Sequence, residues 1–181
     1  EDKFQPYLRD EKLVRPWAVP GTPGFEHRLG GLEKQNITGN ISYEPDNHQL
    51  MVKIRQEKID RIADYIPEQK LDSGPEKGQI LVLGWGSTYG AIKSAVIDMQ
   101  AQGYAISHAH LRHMRPFPRN LGDILKNFEQ VLIPEINNGQ LVKIIRDQFL
   151  VDAKAYNKIM GIPITKTELI QKLKEMLGGL N

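Results

Sequence analysis

The stretch ILVLGWGSTYGAIKSAVIDMQ, residues 80–100, constrains the fold more than any other part of the chain. Ile80, Leu81, Val82 and Leu83 form an uninterrupted apolar run, the pattern of a strand buried on both faces. Glycines 84, 86 and 90 then mark a turn, and Ile92, Ala95, Val96 and Met99 stripe a helix that Gly103 ends. A strand passing straight into a helix is the opening half of a strand–helix–strand unit. It also raises a chemical question, because a glycine turn at a helix N-terminus is where nucleotide phosphates settle.

The same alternation continues downstream. Tyr104–Leu111 reads as a second strand, Asn120–Asn127 as a short helix and Gln130–Ile136 as a third strand. A turn at Asn137-Asn138-Gly139 leads into a helix carrying Leu141, Ile144, Ile145 and Phe149. Ala155–Met160 is expected as a fourth strand. The last helix opens with the capping box Thr165-x-x-Glu168, carries Leu169, Leu173 and Leu177, and stops at Gly178. This order predicts an α/β fold over residues 79–181, a small mostly parallel sheet with right-handed crossovers and helices on both faces.

The first third of the chain reads differently. Pro16, Pro20, Gly21, Pro23, Gly24, Gly30, Gly31 and Gly39 leave regular elements no room to propagate. Yet Phe4, Tyr7, Leu13, Trp17, Phe25 and Leu29 are too apolar for a disordered linker. Residues 1–45 are therefore expected to be an ordered, irregular arm whose side chains pack on something else. Met51, Ile54, Ile59, Ile62 and Ile66 predict a connecting helix over 46–66, started at Pro45-Asp46 and stopped by Pro67. PEQKLDSGPEKG, residues 67–78, is expected as a polar linker. The chain begins Glu-Asp-Lys-Phe, which suggests a segment of a longer polypeptide.

Composition narrows the chemistry. With 24 basic against 22 acidic residues the net charge is +2, and no basic block stands out, which argues against nucleic acid and anionic membrane as partners. No apolar run approaches membrane-spanning length and no signal-peptide pattern opens the chain, so the expected location is cytoplasmic. There is no cysteine, so no disulfide, thiolate nucleophile or cysteinyl iron–sulfur ligand can come from these residues.

The glycine turn departs from the dinucleotide fingerprint in two places. Tyr89 stands where the third glycine or alanine belongs, and the second strand ends His108-Ala109-His110-Leu111-Arg112-His113, with no acid for ribose hydroxyls. The expected role is architectural: Gly86 and Gly90 permit close strand–helix packing while Ser87 or Thr88 caps the helix. An NADP-type variant, with Arg112 or His110 on a phosphate, is the alternative. His108 and His110 share one strand face, but zinc would need further ligands, and Glu135 is the only carboxylate expected nearby; no metal site is predicted. No nucleophile–base–orienter set appears, so no catalytic residue is assigned. The carboxyl ends of the strands place Gly86, Ser87, Thr88, His110, Arg112, Arg115, Glu135, Asn137 and Asn138 on one polar rim, the candidate interface or ligand surface. Residue reading alone stops at an α/β accessory or binding domain, with a free-standing small-molecule or nucleotide-binding module as the alternative.

Longer motifs carry a family resemblance. RPWAVPGTPGFEHRLGGLEK at 15–34, TGNISYEPDNHQLMVKIRQEKIDRIA at 38–63, LVLGWGSTYGAI at 81–92, AHLRHMRPFPRNLGDIL at 109–125 and LIPEINNGQLVKIIR at 132–146 occur in order. Over about residues 4–175 the chain resembles the alpha subunit of 2-oxoacid:ferredoxin oxidoreductases, most of all the bacterial 2-oxoglutarate type. The resemblance implies a C-terminal domain like the last domain of transketolases; transketolase itself and the pyruvate dehydrogenase E1 beta subunit fit the motifs less well. It implies a whole enzyme that uses thiamine diphosphate, Mg, an iron–sulfur cluster and CoA to decarboxylate a 2-oxoacid and reduce ferredoxin. Its cofactor- and substrate-reading residues would lie in other polypeptide, leaving this chain non-catalytic and without a cofactor of its own. The implied partners are an upstream thiamine-binding domain of the same subunit, the beta subunit and, for the complex, ferredoxin.

Overall fold

The structure, a computed structural model, describes residues 3–178, and the chain divides into two compact units, Glu1–Ile66 and Pro67–Asn181.

In the first unit the described residues of the arm form no regular strand; two isolated antiparallel bridges, Tyr7 with Ile37 and Lys34 with Ile41, give it shape. Polar side chains do much of the ordering. Lys34 is buried, and its ammonium donates to the carbonyls of Gly30 (2.6 Å) and Leu32, closing the double-glycine loop. Helix α1, Pro45–Asp60, starts on a proline whose fixed φ suits a first turn. Asn47 stitches the helix to the arm, accepting from the Asn36 amide and donating to the Lys34 carbonyl, both at 2.9 Å. The expected helix over 46–66 is shorter as an α-helix: Arg61–Asp64 tightens into a 3-10 turn, a common ending, and Pro67 disfavours helix at the residue before it. Of the predicted stripe only Met51 is buried.

The second unit holds a five-stranded sheet in the order β1-β3-β2-β4-β5. Its strands are β1 Leu71–Ser73, β2 Gly78–Trp85, β3 Ile106–Leu111, β4 Phe128–Glu135 and β5 Ala153–Asn157. All neighbours are parallel except β1, which pairs antiparallel with β3. The polar stretch 67–78, expected as a linker, therefore supplies the edge strand β1 and the first residue of β2. Three residues flanked by polar side chains give no hydrophobic pattern to find; what holds β1 is its ladder to Ala109 and His108.

Side chains alternate across β2 and divide the core. Leu81 and Leu83 pack with Ala109, Val131 and Ile133 beneath α3 (Leu121–Lys126) and α4 (Gln140–Phe149). Ile80 and Val82 pack with Ile106 and Leu132 beneath α2 (Tyr89–Ala101) and α5 (Lys166–Gly178). The helices thus cover both faces of a mostly parallel sheet, as the sequence predicts. The capping box also forms: the Thr165 amide donates to Glu168 (2.7 Å) and the Glu168 amide to Thr165 Oγ1 (3.3 Å). Buried Lys158 holds the same carboxylate at 2.9 and 3.0 Å, which keeps the Glu168 pKa down to about 2.

The glycines of the β2–α2 turn have roles other than those expected. A Cβ on Gly84 would lie 2.5 Å from Ile92 Cδ1 and 2.7 Å from His110 Nδ1, whereas Gly86 and Gly90 have nothing within 4 Å. Gly84 is the close-packing glycine, and Gly86 is needed for its φ of +58°. Gly84→Ala should lower stability by about 1–3 kcal/mol through overpacking. Gly90→Ala, in open space inside a helix, should be neutral or raise it by up to about 1 kcal/mol. Urea unfolding of the two variants separates these roles, and equal effects would contradict them.

Candidate functional site

The carboxyl ends of the four parallel strands lie along one edge of the sheet, where ligands of open α/β sheets bind. At the end of β2 the chain turns through a 3-10 segment, Gly86–Thr88, directly into α2. Gly86 and Ser87 are exposed there, but Thr88 is buried. Its hydroxyl points backwards, donating to the Trp85 carbonyl at 2.8 Å and accepting from the Trp85 amide at 3.3 Å. Neither Ser87 nor Thr88 makes the expected side-chain cap on α2. Thr88 instead closes the turn on itself.

At the end of β3, His110 opposes Gly84 and His108 opposes Val82, so both imidazoles rise towards α2. Tyr89 packs on both, at 5.3 Å from the His108 ring and 5.0 Å edge-on to that of His110, and the two imidazoles are 5.6 Å apart. His110 Nε2 donates to the Gly86 carbonyl at 3.1 Å, which leaves Nδ1 as the bare nitrogen. The His110 amide donates to Asp72 Oδ2 on β1 at 2.9 Å. Burial lowers the His110 pKa, partly offset by the Gly86 bond and by Asp72. His108 is wholly buried, and neither of its ring nitrogens has a hydrogen-bond partner. Burial pushes its pKa down to about 4, with Asp72 opposing and His110 and Lys93 adding to the shift. Such a group is a neutral, packed ring at ordinary pH.

Beyond His110 the chain runs through exposed Arg112, Met114 and Arg115 before Phe117 returns to the core against Phe149. Trp85, Gly86, Tyr89, His110, Arg112 and Met114 line a shallow open depression. Asn120, which the sequence does not single out, clamps the entry to β1: it accepts from the Gln69 amide and donates to the Gln69 carbonyl, both at 2.9 Å.

The end of β4 is built inwards. Glu135 is fully buried, and its carboxyl oxygens accept the Leu141 and Val142 amides at 2.8 and 3.1 Å. Those are free donors of the first turn of α4, where the helix dipole favours an acidic group. Asn137 Oδ1 accepts the Gln140 amide at 2.9 Å, and Gly139 turns at φ +73° with its site pressed against Asn157. Asn138 is exposed. Glu135 lies on the α4 face of the sheet and the histidines on the α2 face, so the expected neighbourhood of Glu135 with the histidines does not exist. The reason is register: β4 residues 131, 133 and 135 share a face with Leu81 and Leu83, opposite Val82 and His108.

The structure therefore brings Gly86, Ser87, His110, Arg112, Arg115 and Asn138 to the open edge and turns Thr88, Glu135 and Asn137 to internal hydrogen bonds. Tyr89 and Asp72 are the participants that sequence reading missed. Tyr89 did leave a signal, as the residue that broke the fingerprint. Among the described residues no three His, Asp or Glu side chains come together to hold a metal ion, and no cysteine exists to bind a cluster. These residues do not fit thiamine diphosphate with its magnesium, or an iron–sulfur centre. No helix among the described residues is long and apolar enough to cross a membrane.

A mostly parallel sheet covered by helices on both faces, with a strand-end turn that Thr88 closes on itself, defines the class of domain. Residues 78–168 match pyruvate:ferredoxin oxidoreductase core domain II, and the chain belongs to that family. It is 45% identical over 179 residues to the 2-oxoglutarate oxidoreductase subunit KorA of Mycobacterium tuberculosis, covering 98% of this chain and 27% of that protein. It is 27% identical to the alpha subunit of 2-oxoacid:ferredoxin oxidoreductase 1 of Aeropyrum pernix, over 96% of this chain and 28% of that one. Among solved structures, the 2-oxoglutarate:ferredoxin oxidoreductase of Magnetococcus marinus, determined with 2-oxoglutarate, coenzyme A and succinyl-CoA bound, superimposes with a TM-score of 0.87. That match has 26% identity and covers 98% of this chain and 31% of the other. The chain thus spans between a quarter and a third of the length of these relatives.

Two variants test the site's construction. Glu135→Ala should cost about 2–3 kcal/mol in urea unfolding, because two buried amides lose their acceptor; unchanged stability would refute the anchor. His108→Phe should remove a pH slope. The unfolded imidazole binds its proton near 6.5 and the folded one near 4, so between these values the unfolded state holds more protons. Stability should be complete above pH 6.5 and fall by roughly 2–3 kcal/mol towards pH 4 in the parent. A parent and variant with parallel stability–pH curves would contradict that.

Proposed function

We propose that this chain is a non-catalytic interface domain of the alpha subunit of a thiamine diphosphate-dependent 2-oxoglutarate:ferredoxin oxidoreductase. The whole enzyme would decarboxylate the 2-oxoacid oxidatively, form the acyl-CoA and reduce ferredoxin, using thiamine diphosphate, Mg and an iron–sulfur cluster held by other polypeptide. The observation that carries this reading is the 45% identity to a KorA subunit over nearly the whole chain. It is supported by the site chemistry: Thr88, Glu135 and Asn137 are engaged internally, and the sequence holds no cysteine.

In this reading Gly86, Ser87, His110, Arg112, Arg115 and Asn138 face partners rather than substrate. The partners are the thiamine-binding domain of the same subunit and the beta subunit, with ferredoxin meeting the complex in the cytoplasm. The domain boundaries follow the same logic, with 1–45 an arm against the thiamine-binding domain, 46–66 a connecting helix and the remainder the sheet domain.

The purified 181-residue chain should show no 2-oxoglutarate- and CoA-dependent ferredoxin reduction when supplied with thiamine diphosphate and Mg. Turnover by this chain alone would overturn the proposal. In the complete enzyme, Arg112→Ala should weaken subunit association in sedimentation while leaving KM for 2-oxoglutarate unchanged; a shift in KM with intact assembly would count against an interface role.

A further inference from the structure

The first unit carries a cluster of cations that the proposed role does not use. Tyr7, Arg9, Leu13, Arg15, Arg55 and Lys58 line one depression, with residues from the arm on one side and from α1 on the other. Four of its walls are cationic and none is acidic. Two guanidiniums share the Tyr7 ring, Arg15 at 4.1 Å from its centre and Arg9 at 5.7 Å. Arg9 is fixed: its Nη1 donates to the Tyr7 carbonyl at 3.1 Å and to Asn36 Oδ1 at 3.0 Å. Asn36 is in turn held by Asn47 of α1. The nearest compensation is Glu33, 3.8 Å from Arg55 and already occupied by His48 at 2.7 Å. Among the described residues Arg15 and Lys58 have no carboxylate partner.

Like charges gathered in a concavity repel one another, and the concavity concentrates their field. Burial, with repulsion from Arg15 and Arg55, lowers the Arg9 pKa. A fold that assembles positions 9, 15, 55 and 58 in one place, with one guanidinium pre-aimed by neutral acceptors, stores an unfavourable term that an anion would relieve. Arginine forks match paired oxygen atoms, and Lys58 adds a mobile point charge.

We propose that Arg9, Arg15, Arg55 and Lys58 form a binding site for a small oxyanion of charge −2 or more, with Tyr7 as its aromatic wall. The same chemistry is offered by a phosphate ester and by a dicarboxylate. The site belongs to the first unit and does not depend on the function proposed above.

Titrating the 181-residue chain calorimetrically with pyrophosphate and, separately, with glutarate at matched ionic strength tests this. Saturable one-site binding of at least one anion is expected, weakened about tenfold in Arg15→Gln and in Lys58→Gln. The exposed Lys126→Gln should leave it unchanged. Tighter pyrophosphate binding would assign a phosphate ester, and tighter glutarate binding a dicarboxylate; either upholds the site. Both substituted side chains are exposed, and a parent-like urea midpoint shows that a variant is folded. Heats no larger than those of matched sodium chloride, or isotherms unaffected in both folded variants, would overturn the proposal.

Discussion

The second unit depends on a close approach at Gly84. Only a residue without a Cβ lets the Ile92 methyl and the His110 ring meet the central strand at this point. That approach sets the height of α2 over the sheet. The height in turn seats Tyr89 on the two imidazoles, shuts His108 away from water and leaves Gly86 to reverse the chain in a left-handed conformation. A bulkier residue at 84 would press on Ile92, a buried core side chain, and on the His110 ring.

The edge of the sheet shows why a familiar turn need not carry familiar chemistry. A phosphate-binding turn keeps its backbone amides free and its small residues beneath them. Here the threonine hydroxyl bends back to Trp85, a tyrosine fills the space over the strand, and the first-turn amides of α4 are taken by Glu135. Each substitution replaces a group that could meet a ligand with one that meets the protein. The internal bonds engage Thr88, Glu135 and Asn137, while Arg112, Arg115 and Asn138 stay exposed at the edge.

Legibility in the sequence followed the physics of each element. The inner parallel strands were readable because burial on both faces forces apolar runs, and α5 because its capping box is a local, reciprocal interaction. Strand β5, a mostly exposed edge strand at Ala153–Asn157, has no such run, and the strand expected at Ala155–Met160 was set too late in the chain. Strand β1 was not, because three residues bound mainly by backbone pairing leave no side-chain pattern. The glycines were visible, but their roles were not: a sequence shows where Cβ is missing, and only packing shows whether the vacancy serves space, as at Gly84, or φ, as at Gly86. Glu135 was correctly placed at a strand end and wrongly given the histidines as neighbours, since strand ends share an edge while alternate residues occupy opposite faces. His108 was visible as a partner of His110, but its isolation from every hydrogen-bond partner depends on Tyr89.

The two units rest on different forces. Among the described residues nearly all of the buried apolar side chains belong to the sheet unit, and Met51 is the one large hydrophobic residue of the first unit among them. The arm is held instead by a buried lysine on two carbonyls, an Asn36–Asn47 relay and stacked rings at Phe4 and Phe25, while Trp17 is 92% exposed. Hydrogen bonds fix direction well and add little net free energy, because water offers the same bonds to the unfolded chain. An arm built this way is shaped more than it is stabilised. Its exposed tryptophan and gathered arginines leave apolar area and positive charge at the surface of the arm. The first unit is thus shaped by directional polar contacts, whereas the sheet unit carries its own core.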